Sequence, residues 1–156
     1  MWIENCAADD INKAFHHDAG SHCMLIQIMD PDAGWWPVPK HTFTEVHQFS
    51  FLDVENTDEY PEDVKISDKQ AAELVRLLHH ALASEMNVVV HCYAGICRSG
   101  AVVEVGSMMG FEPVEKYRQP NILVKHKMMK VLGWTYDENE ERPDHWRNYD
   151  PWAYNP

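Results

Sequence analysis

Two hydrophobic patterns alternate along this chain. The first is a set of short runs rich in apolar, β-branched and aromatic residues: WIENC near the start, CMLIQIM at 23–29, EVHQFSFLDV at 45–54 and NVVVH at 87–91. Runs of four to ten such residues, stopped by Pro, Gly or acidic clusters, predict strands. The second has helical spacing. Over residues 67–84, Ala71, Leu74, Val75, Leu78 and Leu82 fall on one face, and Ser67 with Gln70 forms a capping box at the start. A segment after Arg98, AVVEVGSMM, is apolar on nearly every side and predicts a buried helix that stops at Gly110. A last helix is expected to begin around Pro120 and end by Gly133, and a short one is expected over residues 9–17.

Strands alternating with helices predict an α/β domain with a mostly parallel central sheet flanked by helices. The run NVVVH is apolar without interruption, as a central strand covered on both faces would be. In such sheets ligands sit outside the carboxyl ends of the strands, and here that place belongs to the stretch VVVHCYAGICRSGA. With 156 residues and 45% hydrophobic content, the chain has enough material for one domain with a substantial core. Thirteen Lys+Arg against 25 Asp+Glu give a net charge of −12, which argues against a nucleic-acid or anionic-membrane binder. No run is long enough for a membrane span, and MWIENCAADD lacks the form of a secretory signal. Four cysteines do not make a disulfide framework at this size, so a reducing, cytoplasmic setting is expected.

The loop after NVVVH has a clear physical purpose. A turn between a strand and a helix N-terminus aims several backbone N–H groups at one point, and the helix dipole adds positive potential there. Arg98 adds a planar fork of donors that fits two phosphate oxygens. Cys92 stands at the base of this cradle, so the groups that hold an anion also favour a thiolate. Gly95 lets the chain turn tightly and approach closely.

His91-Cys92-Tyr93-Ala94-Gly95-Ile96-Cys97-Arg98-Ser99 resembles the HCxxGxxRS motif of cysteine-dependent protein-tyrosine and dual-specificity phosphatases. LIQIMDP, FSFLDV and RQPN are similar to softer features of compact microbial members, so the resemblance extends over residues 1–134. It implies a single phosphatase-like domain over residues 1–136, followed by an acidic and aromatic tail, 137–156. Trp146, Tyr149, Trp152 and Tyr154 of that tail would pack on the domain or form a substrate-side lid. The resemblance also implies that Cys92 is the nucleophile, that Arg98 binds phosphate and steadies the transition state, and that Ser99 assists departure of the thiolate. His91 would support the loop through hydrogen bonds. Tyr93, Ala94, Gly95, Ile96, Cys97 and Arg98 would form the phosphate-binding ring. The general acid is an Asp on an upstream loop. Asp53, at the end of a strand, is favoured and Asp58 is the alternative, with Glu55, Glu59, Glu62 and Asp63 also nearby.

The implied substrate is a protein phosphotyrosine, with phosphoserine and phosphothreonine as further candidates, and no cofactor or metal is called for. A phosphoprotein-binding module without catalysis and a phosphatase of a non-protein phosphomonoester stay open. The uncharged loop positions Tyr93, Ala94, Ile96 and Cys97 argue against multiply charged substrates. Other readings of the same residues are a sulfur transferase or arsenate reductase, and a zinc site drawing on Cys6, Cys23, His16, His17 and His22. Cys97 either packs or serves as a redox partner of Cys92, while Gln119 and Asn121 either cap the last helix or orient the loop.

Overall fold

The computed structural model describes residues 1–12, 22–55 and 60–134. Five strands form one sheet: β1 (Trp2–Ala7), β2 (Cys23–Met29), β3 (Glu45–Ser50), β4 (Asn87–Cys92) and β5 (Glu112–Pro113). Their order is β3-β2-β4-β1-β5, and every pairing is parallel. The uninterrupted apolar run therefore lies at the centre, with Val88, Val89 and Val90 wholly buried in β4. Among the described residues three α-helices accompany them: α1 (Asp68–Ala83) before β4, α2 (Arg98–Met109) before β5, and α3 (Ile122–Val131) after it.

Registered residues of neighbouring parallel strands share a face, and successive residues alternate faces. One face carries Ile3, Met24, Ile26, Val88, Val90 and Cys92, packed in a single core with Leu74, Leu78, Val102, Val105 and Val124 of the helices. The other face carries Leu25 and Val89 with Cys6 and Phe43, and brings Cys6, His91 and Gln27 to one level. Cys92 thus ends on the helix side of the sheet and His91 on the opposite side.

The capping box at Ser67 forms as expected: Gln70 N–H donates to Ser67 Oγ at 3.0 Å, and Ser67 N–H to Gln70 Oε1 at 2.9 Å. Helix α2 stops at Gly110, whose φ of 127° few other residues tolerate. Helix α3 starts one turn position later than expected, because Asn121 rather than Pro120 caps it. The strand expected over 45–54 ends at Ser50. Leu52 N–H turns away to Val64 O at 2.7 Å, so residues 51–55 leave the sheet and run beside its carboxyl edge. The short β5 was not anticipated. Its Pro can lie only at an edge, and it is held by Glu112 N–H to Met1 O and Val114 N–H to Ile3 O, both 2.9 Å. Of the helix expected over 9–17, residues 8–10 form one 3₁₀ turn, and 13–17 lie outside the described residues. The tail 137–156 lies outside them too. No described helix is long and apolar enough to cross a membrane.

Candidate active site

Strand β4 ends at Cys92 and helix α2 begins at Arg98, leaving five residues to turn the chain. Their carbonyls are drawn outward to surrounding elements. Tyr93 O accepts from Ala8 N–H at 3.2 Å, Ile96 O from Gln119 N–H at 3.1 Å, and Cys97 O from Asn121 N–H at 2.9 Å. Gly95 O accepts from the buried Asn5 side chain at 2.7 Å, and the same amide donates to Tyr117 O at 3.1 Å. In a trans peptide each N–H opposes the preceding carbonyl, and no peptide bond among the described residues is cis. The N–H groups of Ala94, Ile96, Cys97 and Arg98 are therefore turned toward the inside of the loop. Gly95 N–H donates to Cys92 Sγ at 3.2 Å. These amides and the start of α2 form an anion cradle with sulfur at its base.

Cys92 is buried, and Ser99 Oγ stands 3.2 Å from its sulfur. Arg98 is also buried. Its Nη1 donates to Asp30 Oδ1 at 2.6 Å and to Phe51 O at 2.8 Å, while its Nε–H has no partner among the described residues. A cleft of about 290 Å³ opens above, lined by Cys92, Arg98, Asp30, Asp53, Tyr60 and Tyr93 together with Ala94 and Cys97. The structure thus gathers Cys92, Arg98, Ser99, Asp53 and the loop residues at one place. Asp58 and Glu59 lie outside the described residues.

Asp53 Oδ1 accepts from Asn121 Nδ2 at 2.6 Å. Asn121 is buried, caps α3 by accepting from Val124 N–H at 3.0 Å, and ties its own N–H to the loop. The two roles weighed for it are both filled, and it joins the loop, the candidate acid and α3. Gln119 reaches the loop through its backbone. Cys97 lines the cleft half-buried. Burial, then the neighbouring Asp53 charge and Cys92, push its thiol up to about 12, which disfavours the thiolate that disulfide exchange requires. Cys23 pairs with Asn87 at the far end of β4 from Cys92, so it takes no part in a zinc cluster at the cleft.

His91 is wholly buried near the end of β4, with the Cys92 backbone as its hydrogen-bonding neighbour. The ring lies on the sheet face away from Cys92, where burial is the main cause that pushes it down from 6.5 to about 4, with the Arg98 charge adding to the effect. A depressed histidine stays neutral in the fold while the unfolded chain takes up a proton. Its contribution is full above about pH 6.5 and is lost as the pH falls toward 4, a loss on the order of 3 kcal/mol. Urea unfolding at pH 7 and at pH 4.5 should show wild type losing more stability than His91→Gln; equal losses would contradict a neutral buried ring.

Two residues that matter here were not picked out by sequence. Asn5 sits within β1 and reads as a strand residue. Asp30 follows directly on β2, at the carboxyl edge where ligands gather, and that position was the one available signal.

An all-parallel five-stranded sheet with three helices, and a Cys-to-Arg loop at the carboxyl end of its central strand, define a protein-tyrosine-phosphatase-like fold. The solved structure of human tyrosine phosphatase-like serine/threonine/tyrosine-interacting protein is similar, with a TM-score of 0.57 and 18% identity over 83% of this chain and 89% of that one. At that identity the likeness concerns the fold. No family model and no curated protein sequence matches the chain.

Proposed function

We propose that this protein is a cysteine-dependent phosphatase that hydrolyses phosphotyrosine in protein substrates through a cysteinyl-phosphate intermediate. The observation that carries the reading is the convergence on Cys92 Sγ of the Gly95 N–H and the Ser99 hydroxyl, beside a buried Arg98 whose Nε–H has no acceptor among the described residues. A buried cationic donor without a partner is costly. An anion entering the cleft would supply the missing acceptor.

In the first step the Cys92 thiolate attacks phosphorus, the S–P bond forms and the bond to the substrate oxygen breaks. Asp53 delivers a proton to that oxygen. Charge developing on the phosphoryl oxygens meets the loop amides and Arg98, which are in place before reaction. In the second step water attacks phosphorus, Asp53 takes its proton, and the S–P bond breaks. The Ser99 hydroxyl then donates to the departing thiolate from 3.2 Å. The exposed rings of Tyr60 and Tyr93 at the cleft suit an aromatic substrate and favour phosphotyrosine over phosphoserine.

Wild type should release phosphate from p-nitrophenyl phosphate and from phosphotyrosine peptides, and rapid acid quench should trap a phosphoryl group on Cys92. Neither release nor adduct would leave a binding module instead. Asp53→Asn should slow substrates with poor leaving groups by about 10²-fold or more while sparing p-nitrophenyl phosphate. If Asp58→Asn produces that pattern and Asp53→Asn does not, the acid is Asp58.

A further inference from the structure

Arg98 is divided between two duties. Its Nη1 spends its hydrogens on Asp30 Oδ1 at 2.6 Å and Phe51 O at 2.8 Å. Nε–H lies buried without an acceptor among the described residues. A guanidinium is planar and rigid, so fixing Nη1 at two points fixes the plane. What remains is the edge formed by Nε–H and Nη2, which carries two parallel donors suited to two phosphate oxygens. Phe51 O cannot move far, because Phe51 N–H is bound to Met29 O at 3.2 Å. Asp30 is the second anchor. It follows β2, the neighbour of β4 in the sheet, and Ala33 N–H closes a turn on its carbonyl at 3.1 Å.

We propose that Asp30 is a positioning residue, which turns the free edge of Arg98 toward the incoming phosphate. This rests on the phosphatase reading of the cleft and adds a residue to it. A simpler view treats Asp30 as a stand-in anion that phosphate must displace. Exposure weighs against that. The Asp30 side chain is 43% exposed and that of Arg98 5%, so the carboxylate reaches in from the rim and leaves the inner edge of the guanidinium uncovered. The unpaired atom is Nε, on the side that Asp30 does not occupy. Phosphate can then bind while Asp30 stays in place, and the repulsion between the two anions is accepted in exchange for a fixed fork.

The two views predict opposite signs. Binding of inorganic phosphate to the full chain, followed by titration calorimetry, should weaken by about tenfold or more in Asp30→Ala. On p-nitrophenyl phosphate, kcat/KM should fall by about 10²-fold, chiefly through kcat, as expected when a reacting geometry loosens. Asp30→Asn keeps an oxygen acceptor for Nη1 without the charge, and should stay within a few-fold of wild type in both measurements. Thermal unfolding establishes that each variant is folded, and Asp30→Ser replaces the alanine variant if that one is not. Unchanged or tighter phosphate binding in Asp30→Ala overturns the proposal. So does a loss in Asp30→Asn as deep as in Asp30→Ala, which would make charge rather than anchoring the cause. A wild type that binds phosphate without hydrolysing esters would sink the phosphatase reading alone, since the binding series still decides the role of Asp30.

Discussion

Cys92→Ser is expected to lower turnover of p-nitrophenyl phosphate by on the order of 10⁴-fold or more, the scale on which covalent catalysts fail without their nucleophile. The two side chains differ by one atom, and the position is buried, so the fold should tolerate the exchange. The chemistry should not. A hydroxyl is a far weaker acid and a far weaker nucleophile than a thiol, so serine at the base of the loop cannot take over the attack on phosphorus. Binding should survive, because Arg98 and the loop amides are untouched. The variant should therefore retain phosphotyrosine peptides that wild type consumes. Turnover within tenfold of wild type would move the nucleophile elsewhere. Equal retention of peptide by both proteins, with no phosphate released by either, would favour the binding-module reading over catalysis.

What could be read in the sequence was local. The Ser67–Gln70 box, the stop at Gly110 and the buried run of β4 are each decided by residues within a few positions, and each formed as expected. The Cys92-to-Arg98 loop was equally legible, because its geometry follows from a strand end, a glycine and a helix start. The rest depends on contacts between distant segments. Asn5 reaches Gly95 across 90 positions and Asp30 reaches Arg98 across 68; nothing near Asn5 marks it, and only its place at the end of β2 marks Asp30. The early end of β3 has the same origin. Residues 51–54 have strand-like composition, but Leu52 finds its acceptor on Val64, and Phe51 O is taken by Arg98. The placement of His91 follows once β4 is known, since alternation along the strand carries it to the face opposite Cys92, beside Cys6 and Gln27.

Gly95→Ala should cost both stability and activity, and the reason lies outside the loop. Gly95 has a φ of 74°, and a Cβ built there would stand 2.3 Å from Ala7 N and from Cys6 C, and 2.6 Å from Cys6 O. Those atoms are backbone of β1, which is paired with β4 on one side and β5 on the other, so they cannot step aside as a side chain would. Strain from the left-handed conformation and from overpacking sums to roughly 2–5 kcal/mol, which corresponds to roughly 5–20 °C in Tm for a domain of this size. Gly34→Ala provides the contrast. It has nearly the same φ, 73°, with nothing within 4 Å of the added atom, so it should lower Tm by only a few degrees and leave turnover unchanged. If the two variants behave alike, close seating of the loop on β1 is not what shapes the cradle. If Gly95→Ala alone loses phosphate binding, the cradle owes its form to a strand that contributes no side chain to the cleft. The loop amides then point inward because β1 leaves room for a hydrogen atom and nothing larger.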